Sequence, residues 1–138
     1  MDETSPKRTI LLVEDEESVS FVLGHALETD GFEVTIAKDG EEGLRLALEK
    51  HPDLILADLM LPKMNGIDMI KAIRADTWGK VAGIIILSNV SDVNSINEAM
   101  NHEVFTYIVK GDLSMKDIIA KIHAHLAGAA PAPATAQQ

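Results

Sequence analysis

The chain has 138 residues, 46% of them hydrophobic, a formal net charge of -10 and no cysteine. That length suits one globular domain rather than two, and no disulfide, thiolate metal site or cysteine nucleophile can exist without cysteine. The negative charge, with no cluster of Lys and Arg, opposes direct nucleic-acid binding.

After a polar segment at 1–7, the run "ILLV" (10–13) predicts a buried strand that ends on Glu14 and Asp15. Val19, Val22, Leu23, Ala26 and Leu27 follow at helical spacing. "FEVTI" (32–36) alternates, as a strand near a sheet edge does, and Leu44, Ala47 and Leu48 mark a second helix. "LILA" (54–57) is a third strand and ends on Asp58; Ile67, Ile70 and Ile73 stripe the next helix. "GIIIL" (83–87) ends on Ser88, and Val93, Ile96 and Met100 give a thin stripe on a nearly uncharged fourth helix. "VFTYIV" (104–109) ends on Lys110, and Ser114 with Asp117 forms a capping-box pattern ahead of Ile118, Ile119, Ile122 and Leu126. The Ala- and Pro-rich segment "AGAAPAPATAQQ" has no apolar periodicity and is expected to be disordered. The expected organisation is a polar tail at 1–7, one domain at 8–127 and a disordered tail at 128–138.

Strict alternation with short connections predicts an α/β fold: a doubly wound five-stranded parallel sheet with helices on both faces. Such sheets bind ligands at the carboxyl ends of their strands, where Glu14, Asp15, Asp58, Ser88 and Lys110 fall. Three carboxylates at one spot repel each other and need protonation, a lysine or a divalent cation to coexist. Oxygen ligands in small number suit Mg²⁺, and a metal-loaded carboxylate cluster beside a hydroxyl and an ammonium is a phosphoryl-transfer site. Singly, each residue has an ordinary structural reading: "EDEE" complements a helix dipole, Asp58 caps a turn, and Lys110 is a solvated lysine. Their shared position at strand ends favours the joint chemistry. The histidines do not: His25, His51 and His102 are far apart in sequence, and His123 and His125 point to different faces of one helix.

In order and spacing, "LLVEDEE", "DLILADLMLPKMNG", "IIILSN" and "YIVK" resemble the receiver domains of two-component response regulators, from about residue 8 to 126. The resemblance implies a flavodoxin-like sheet in the order 2-1-3-4-5 and a module that catalyses only its own phosphorylation and dephosphorylation. It implies that Asp58 is the phosphoacceptor for a histidine kinase or histidine phosphotransfer protein. Asp15, Asp58 and the Met60 carbonyl would hold Mg²⁺, with Glu14 acting mainly through a water. Lys110 and Ser88 would contact phosphoryl oxygens. Ser88 and Tyr107 would switch a protein-binding face formed by the fourth helix, fifth strand and fifth helix.

Gly111 follows Lys110 where the family usually has proline after a cis bond; because a non-proline cis bond costs roughly 2.5 to 4 kcal/mol, a trans bond is expected. Met60, Asn89 and Val90 occupy tuning positions, and the apolar Met60 and Val90 would leave the phosphoryl group long-lived. Phe105 and Thr106 stand where dimerising, DNA-binding regulators commonly carry acidic residues. A stand-alone regulator with a protein target is therefore expected, as a monomer or a weak phosphorylation-dependent dimer. No apolar run approaches the roughly 18 residues that span a bilayer, so a cytoplasmic location without membrane attachment is expected. A phosphorelay intermediate, a non-phosphorylated binding scaffold and an aspartyl-phosphate hydrolase are the competing readings. The last is disfavoured by the Leu and Met that follow Asp58.

Overall fold

The computed structural model describes residues 7–88, 93–101, 106–111 and 114–129. Among them the chain alternates β1 (Thr9–Val13), α1 (Glu17–Thr29), β2 (Glu33–Ala37), α2 (Gly40–Lys50), β3 (Leu54–Asp58), α3 (Gly66–Ala75), β4 (Ile84–Ser88), α4 (Val93–Met100), β5 (Thr106–Val109) and α5 (Met115–Ala129). A short 3-10 turn, Trp78–Val81, precedes β4. The strands pair in parallel in the order β2-β1-β3-β4-β5.

Every residue of β3 and β4 is buried, which is why both read as unbroken apolar runs. Their side chains still alternate between faces. Leu11, Val13, Ile55, Ala57, Ile84 and Ile86 pack beneath α2 and α3 against Leu46, Met69, Ile70 and Ile73. Ile10, Leu12, Leu54, Leu56, Ile85 and Leu87 pack on the other face against Leu23 and Leu27 of α1 and Ile122 and Leu126 of α5. At about 1.5–3 kcal/mol per fully buried large aliphatic side chain, these two layers supply the main favourable term. The edge strand β2 does not keep the alternation expected of it: Glu33 and Ile36 are exposed, Val34 and Thr35 are half-buried and Ala37 alone is buried.

In two helices the buried line is shifted from the apolar stripe the spacing suggests, although Leu23, Leu27 and Ala47 belong to both. In α1 the buried line is Ser20, Leu23, Gly24 and Leu27, which leaves Val22 53% exposed. In α2 it is Gly40, Gly43, Leu46 and Ala47, and Leu48 lies at the surface. Gly43 shows the cause, since a Cβ there would come within 2.7 Å of Met69 Sδ and 3.0 Å of Val13 Cγ1. Close backbone approach, not a large side chain, sets that face.

Helix ends follow side-chain chemistry. The Asp39 carboxylate accepts from Glu42 N–H at 2.8 Å, and the Asn65 side-chain oxygen accepts from Asp68 N–H at 2.9 Å. Ser114 Oγ accepts from Asp117 N–H at 3.1 Å, as the capping pattern predicts. α5 continues through Gly128 to Ala129, two residues past the expected boundary at 127. Of the tails expected at 1–7 and 128–138, residues 128 and 129 belong to α5 instead, and residues 1–6 and 130–138 lie outside the described residues. Among the described residues no helix is long and apolar enough to cross a membrane.

Register carries the site. Val13 stands level with Ala37 and Ala57, Asp58 with Leu87, and Ser88 with Val109. The residues that end or follow these strands therefore meet along one edge of the sheet.

Candidate functional site at the strand carboxyl ends

Asp58 closes β3 and is only 3% exposed. Its Oδ1 accepts from Met60 N–H at 3.1 Å, and its Oδ2 accepts from Lys110 Nζ at 2.9 Å. Glu14, just past β1, is equally buried; its Oε2 accepts from Glu16 N–H at 3.1 Å and from Lys110 Nζ at 3.3 Å. The other oxygen, Oε1, lies 3.0 Å from Nζ without hydrogen-bond alignment and has no hydrogen-bond partner among the described residues. Asp15 is exposed at the mouth, and carboxylate oxygens of Glu14, Asp15 and Asp58 all lie within 4.8 Å of one another.

At 4.8 Å two unit charges repel by about 3 kcal/mol for an effective dielectric near 20. One ammonium offsets one of the three charges, and the remaining deficit matches a divalent cation. Burial, aided by the charge of Asp58, raises the pKa of Glu14 despite the hydrogen bonds from Lys110 and Glu16. Burial works against the Lys110 ammonium, but hydrogen bonds to Asp58 and Glu14 and their charges outweigh it and raise its pKa. Lys110 is therefore held charged. An oxygen-only donor set with excess negative charge and an unspent buried oxygen fits Mg²⁺.

Lys110 reaches this position because its backbone N–H donates to the Ser88 carbonyl at 2.7 Å, extending the β4–β5 pairing by one residue. The chain then turns at Gly111, whose φ of +90° suits glycine. The Lys110–Gly111 peptide is trans, as expected from the missing proline. Ser88 ends β4 fully buried, and its Oγ has no hydrogen-bond partner among the described residues. Met60 (58% exposed) and Tyr107 (42% exposed) stand at the surface. Asn89 and Val90 lie outside the described residues.

The structure thus brings together Glu14, Asp15, Asp58 and Lys110, with the Met60 amide on Asp58 and the Ser88 carbonyl on the Lys110 backbone. It adds Glu16, whose Oε1 accepts from Lys110 Nζ at 3.4 Å. In the sequence Glu16 is one acid of "EDEE", and its helix-dipole reading hid the contact.

This sheet order and this acidic pocket with its lysine define a receiver-type fold and site. Residues 10–123 match the response regulator receiver domain family, and the chain belongs to it. Over 120 residues it is 33% identical to the DNA-binding response regulator MtrA of Mycobacterium tuberculosis H37Rv, covering 87% of this chain and 51% of that protein. It therefore spans about half the length of that relative. Among solved structures, a CheY-like receiver domain protein from Methanospirillum hungatei superposes with a TM-score of 0.81 at 26% identity, covering 90% of this chain and 97% of that one. The receiver domain of the sensor histidine kinase PA1611 from Pseudomonas aeruginosa, with magnesium coordinated in its active site cleft, gives 0.81 at 25% identity and covers 88% and 99%. The chain is accordingly a signalling module rather than a catalytic enzyme, and its acidic triad is typical of the Mg²⁺-binding receiver site.

Proposed function

We propose that the chain is a stand-alone cytoplasmic receiver, occupying 8–127, that accepts a phosphoryl group from a histidine kinase or histidine phosphotransfer protein onto Asp58. The observation that carries this reading is a buried carboxylate fixed at a strand end, 2.9 Å from a lysine ammonium and beside two further carboxylates. A positioned nucleophile needs that rigidity.

In the transfer, an Asp58 carboxylate oxygen attacks the phosphorus of a phosphohistidine. An O–P bond forms as the P–N bond breaks, and the bonding pair leaves on the imidazole nitrogen. The product is an aspartyl phosphate. Asp15, Asp58 and the Met60 carbonyl would hold Mg²⁺, with Glu14 acting mainly through a water, and the ion would neutralise charge on the phosphoryl oxygens. Lys110 donates to one of those oxygens, and the unspent hydroxyl of Ser88 donates to another. As Ser88 engages the phosphoryl group, the half-exposed Tyr107 ring changes rotamer and reshapes the α4–β5–α5 face for a protein target. The protein acts as a monomer or as a weak dimer formed on phosphorylation.

Intact mass after incubation with Mg²⁺ and phosphoramidate, beside an Asp58→Asn control, tests the assignment. The native chain should gain one phosphoryl group and the control none. No gain in the native chain, with the small donor and with a phosphorylated histidine kinase, would overturn it.

A further inference from the structure

Lys110 has three N–H bonds, and in this structure all three are taken. Nζ donates to Asp58 Oδ2 at 2.9 Å, to Glu14 Oε2 at 3.3 Å and to Glu16 Oε1 at 3.4 Å. A phosphoryl oxygen arriving on Asp58 can receive a hydrogen bond from this ammonium only if one of those partners lets go.

Exposure decides which one. The side chains of Glu14 and Asp58 are 0% and 5% exposed, so a carboxylate released there has no water to turn to. The Glu16 side chain is 61% exposed and its contact is the longest of the three, so its carboxylate can return to solvent.

The backbone of Glu16 supports the same reading. Its N–H donates to Glu14 Oε2, and its carbonyl accepts from Val19 and Ser20 N–H as the N-cap of α1. At that position a short side chain would cap the helix. The Glu16 side chain makes no cap hydrogen bond; its extra methylene carries the carboxylate across to Lys110 instead.

We infer that Glu16 competes with the incoming phosphoryl group for Lys110, and so slows phosphorylation of Asp58. This rests on Asp58 being the phosphoacceptor. Two buried partners still aim Nζ when Glu16 is absent, so its removal frees a donor without misplacing the lysine.

Glu16→Asp separates this contact from a plain charge effect, because aspartate keeps the charge, is too short to reach Nζ and can cap α1. Glu17→Gln serves as the neighbouring charge control, since Glu17 pairs with Lys38 at 3.3 Å and does not touch Lys110. The measurement is the initial rate of phosphorylation by phosphoramidate with Mg²⁺, followed by intact mass. It is accompanied by the nitrogen NMR signal of Lys110 Nζ and by thermal melts.

Glu16→Gln and Glu16→Asp should both react about threefold faster, the scale of one exposed ion pair, and both should shift the Lys110 signal. Glu17→Gln should do neither, and Glu16→Asp should melt no lower than the native chain. An Asp variant at the native rate, a Glu17 variant as fast as the Glu16 variants, or a slower Glu16 variant would each overturn the inference. Failure of the native chain to take phosphate at all would instead overturn the reading of Asp58.

Discussion

Single side chains set the pH response, and two of them pull in opposite directions. The pKa of Glu14 is raised by burial, so the folded chain keeps that proton to higher pH than the unfolded chain, and stability falls as pH rises from 4.5 through the folded value. His125 on α5 is the reverse case, because burial and the charge of Lys121 lower its pKa. Below the ordinary value of 6.5 the unfolded chain binds the proton first, so stability is present at neutral pH and is lost as pH falls through the folded value. His125→Gln removes that term while keeping much of the side-chain volume. The urea midpoint at pH 5 minus that at pH 7 should therefore be more positive in the variant than in the native chain, whatever Glu14 adds to both. A difference that is unchanged or more negative would show that His125 does not contribute.

At the scale of elements, the start of α3 is built onto the end of β3. Gly66 N–H donates to the Leu59 carbonyl at 2.9 Å, and a Cβ at Gly66 would lie 2.6 Å from both the Asp58 carbonyl oxygen and Leu59 Cα. Those neighbours are backbone, so Gly66→Ala must move the helix, the strand end or both. The expected cost is about 1–3 kcal/mol of stability, as for other overpacked sites. A several-fold slower phosphorylation of the folded protein should accompany it, because Asp58 itself is displaced. Asn65→Ala removes only the cap from the same helix, costs about 1 kcal/mol and should change the rate less. Urea midpoints and initial phosphorylation rates measure both, and equal rate losses would mean that the close packing does not position Asp58. The same contrast explains what the sequence could reveal. The strands were legible because full burial on both faces writes itself as "LILA" and "GIIIL". The inner faces of α1 and α2 were legible only in part: Leu23, Leu27 and Ala47 are buried as their spacing suggests, whereas Gly24, Gly40 and Gly43 face inward and carry no hydropathy signal. Asp58 and Lys110 were legible as charges ending apolar runs, whereas Glu16 was not, because a glutamate at a helix start is common whatever lies opposite it.

The whole molecule balances a well-packed sheet against a surplus of negative charge that is densest where the strands end. Three carboxylates, Glu14, Glu16 and Asp58, share Lys110 there and Asp15 stands beside them, in a chain whose net charge is already -10. Folding forces this crowding and unfolding relieves it, so a cation bound only by the folded site should stabilise the entire domain. At a free Mg²⁺ concentration about 100 times its Kd the gain is about 2.7 kcal/mol. It should appear in urea unfolding as a higher midpoint with an unchanged slope, since the surface exposed on unfolding stays the same. General screening of the acidic surface would also raise the midpoint, but NaCl at matched ionic strength reproduces that part alone. Asp15→Asn separates the two further, because it removes one donor from the exposed mouth while leaving the buried pair and Lys110 in place. The Mg²⁺ increment beyond the NaCl control should shrink in this variant, whereas the NaCl increment should not. If NaCl matched Mg²⁺ in the native chain, the acidic triad would hold no cation of its own, and Lys110 alone would have to balance the site.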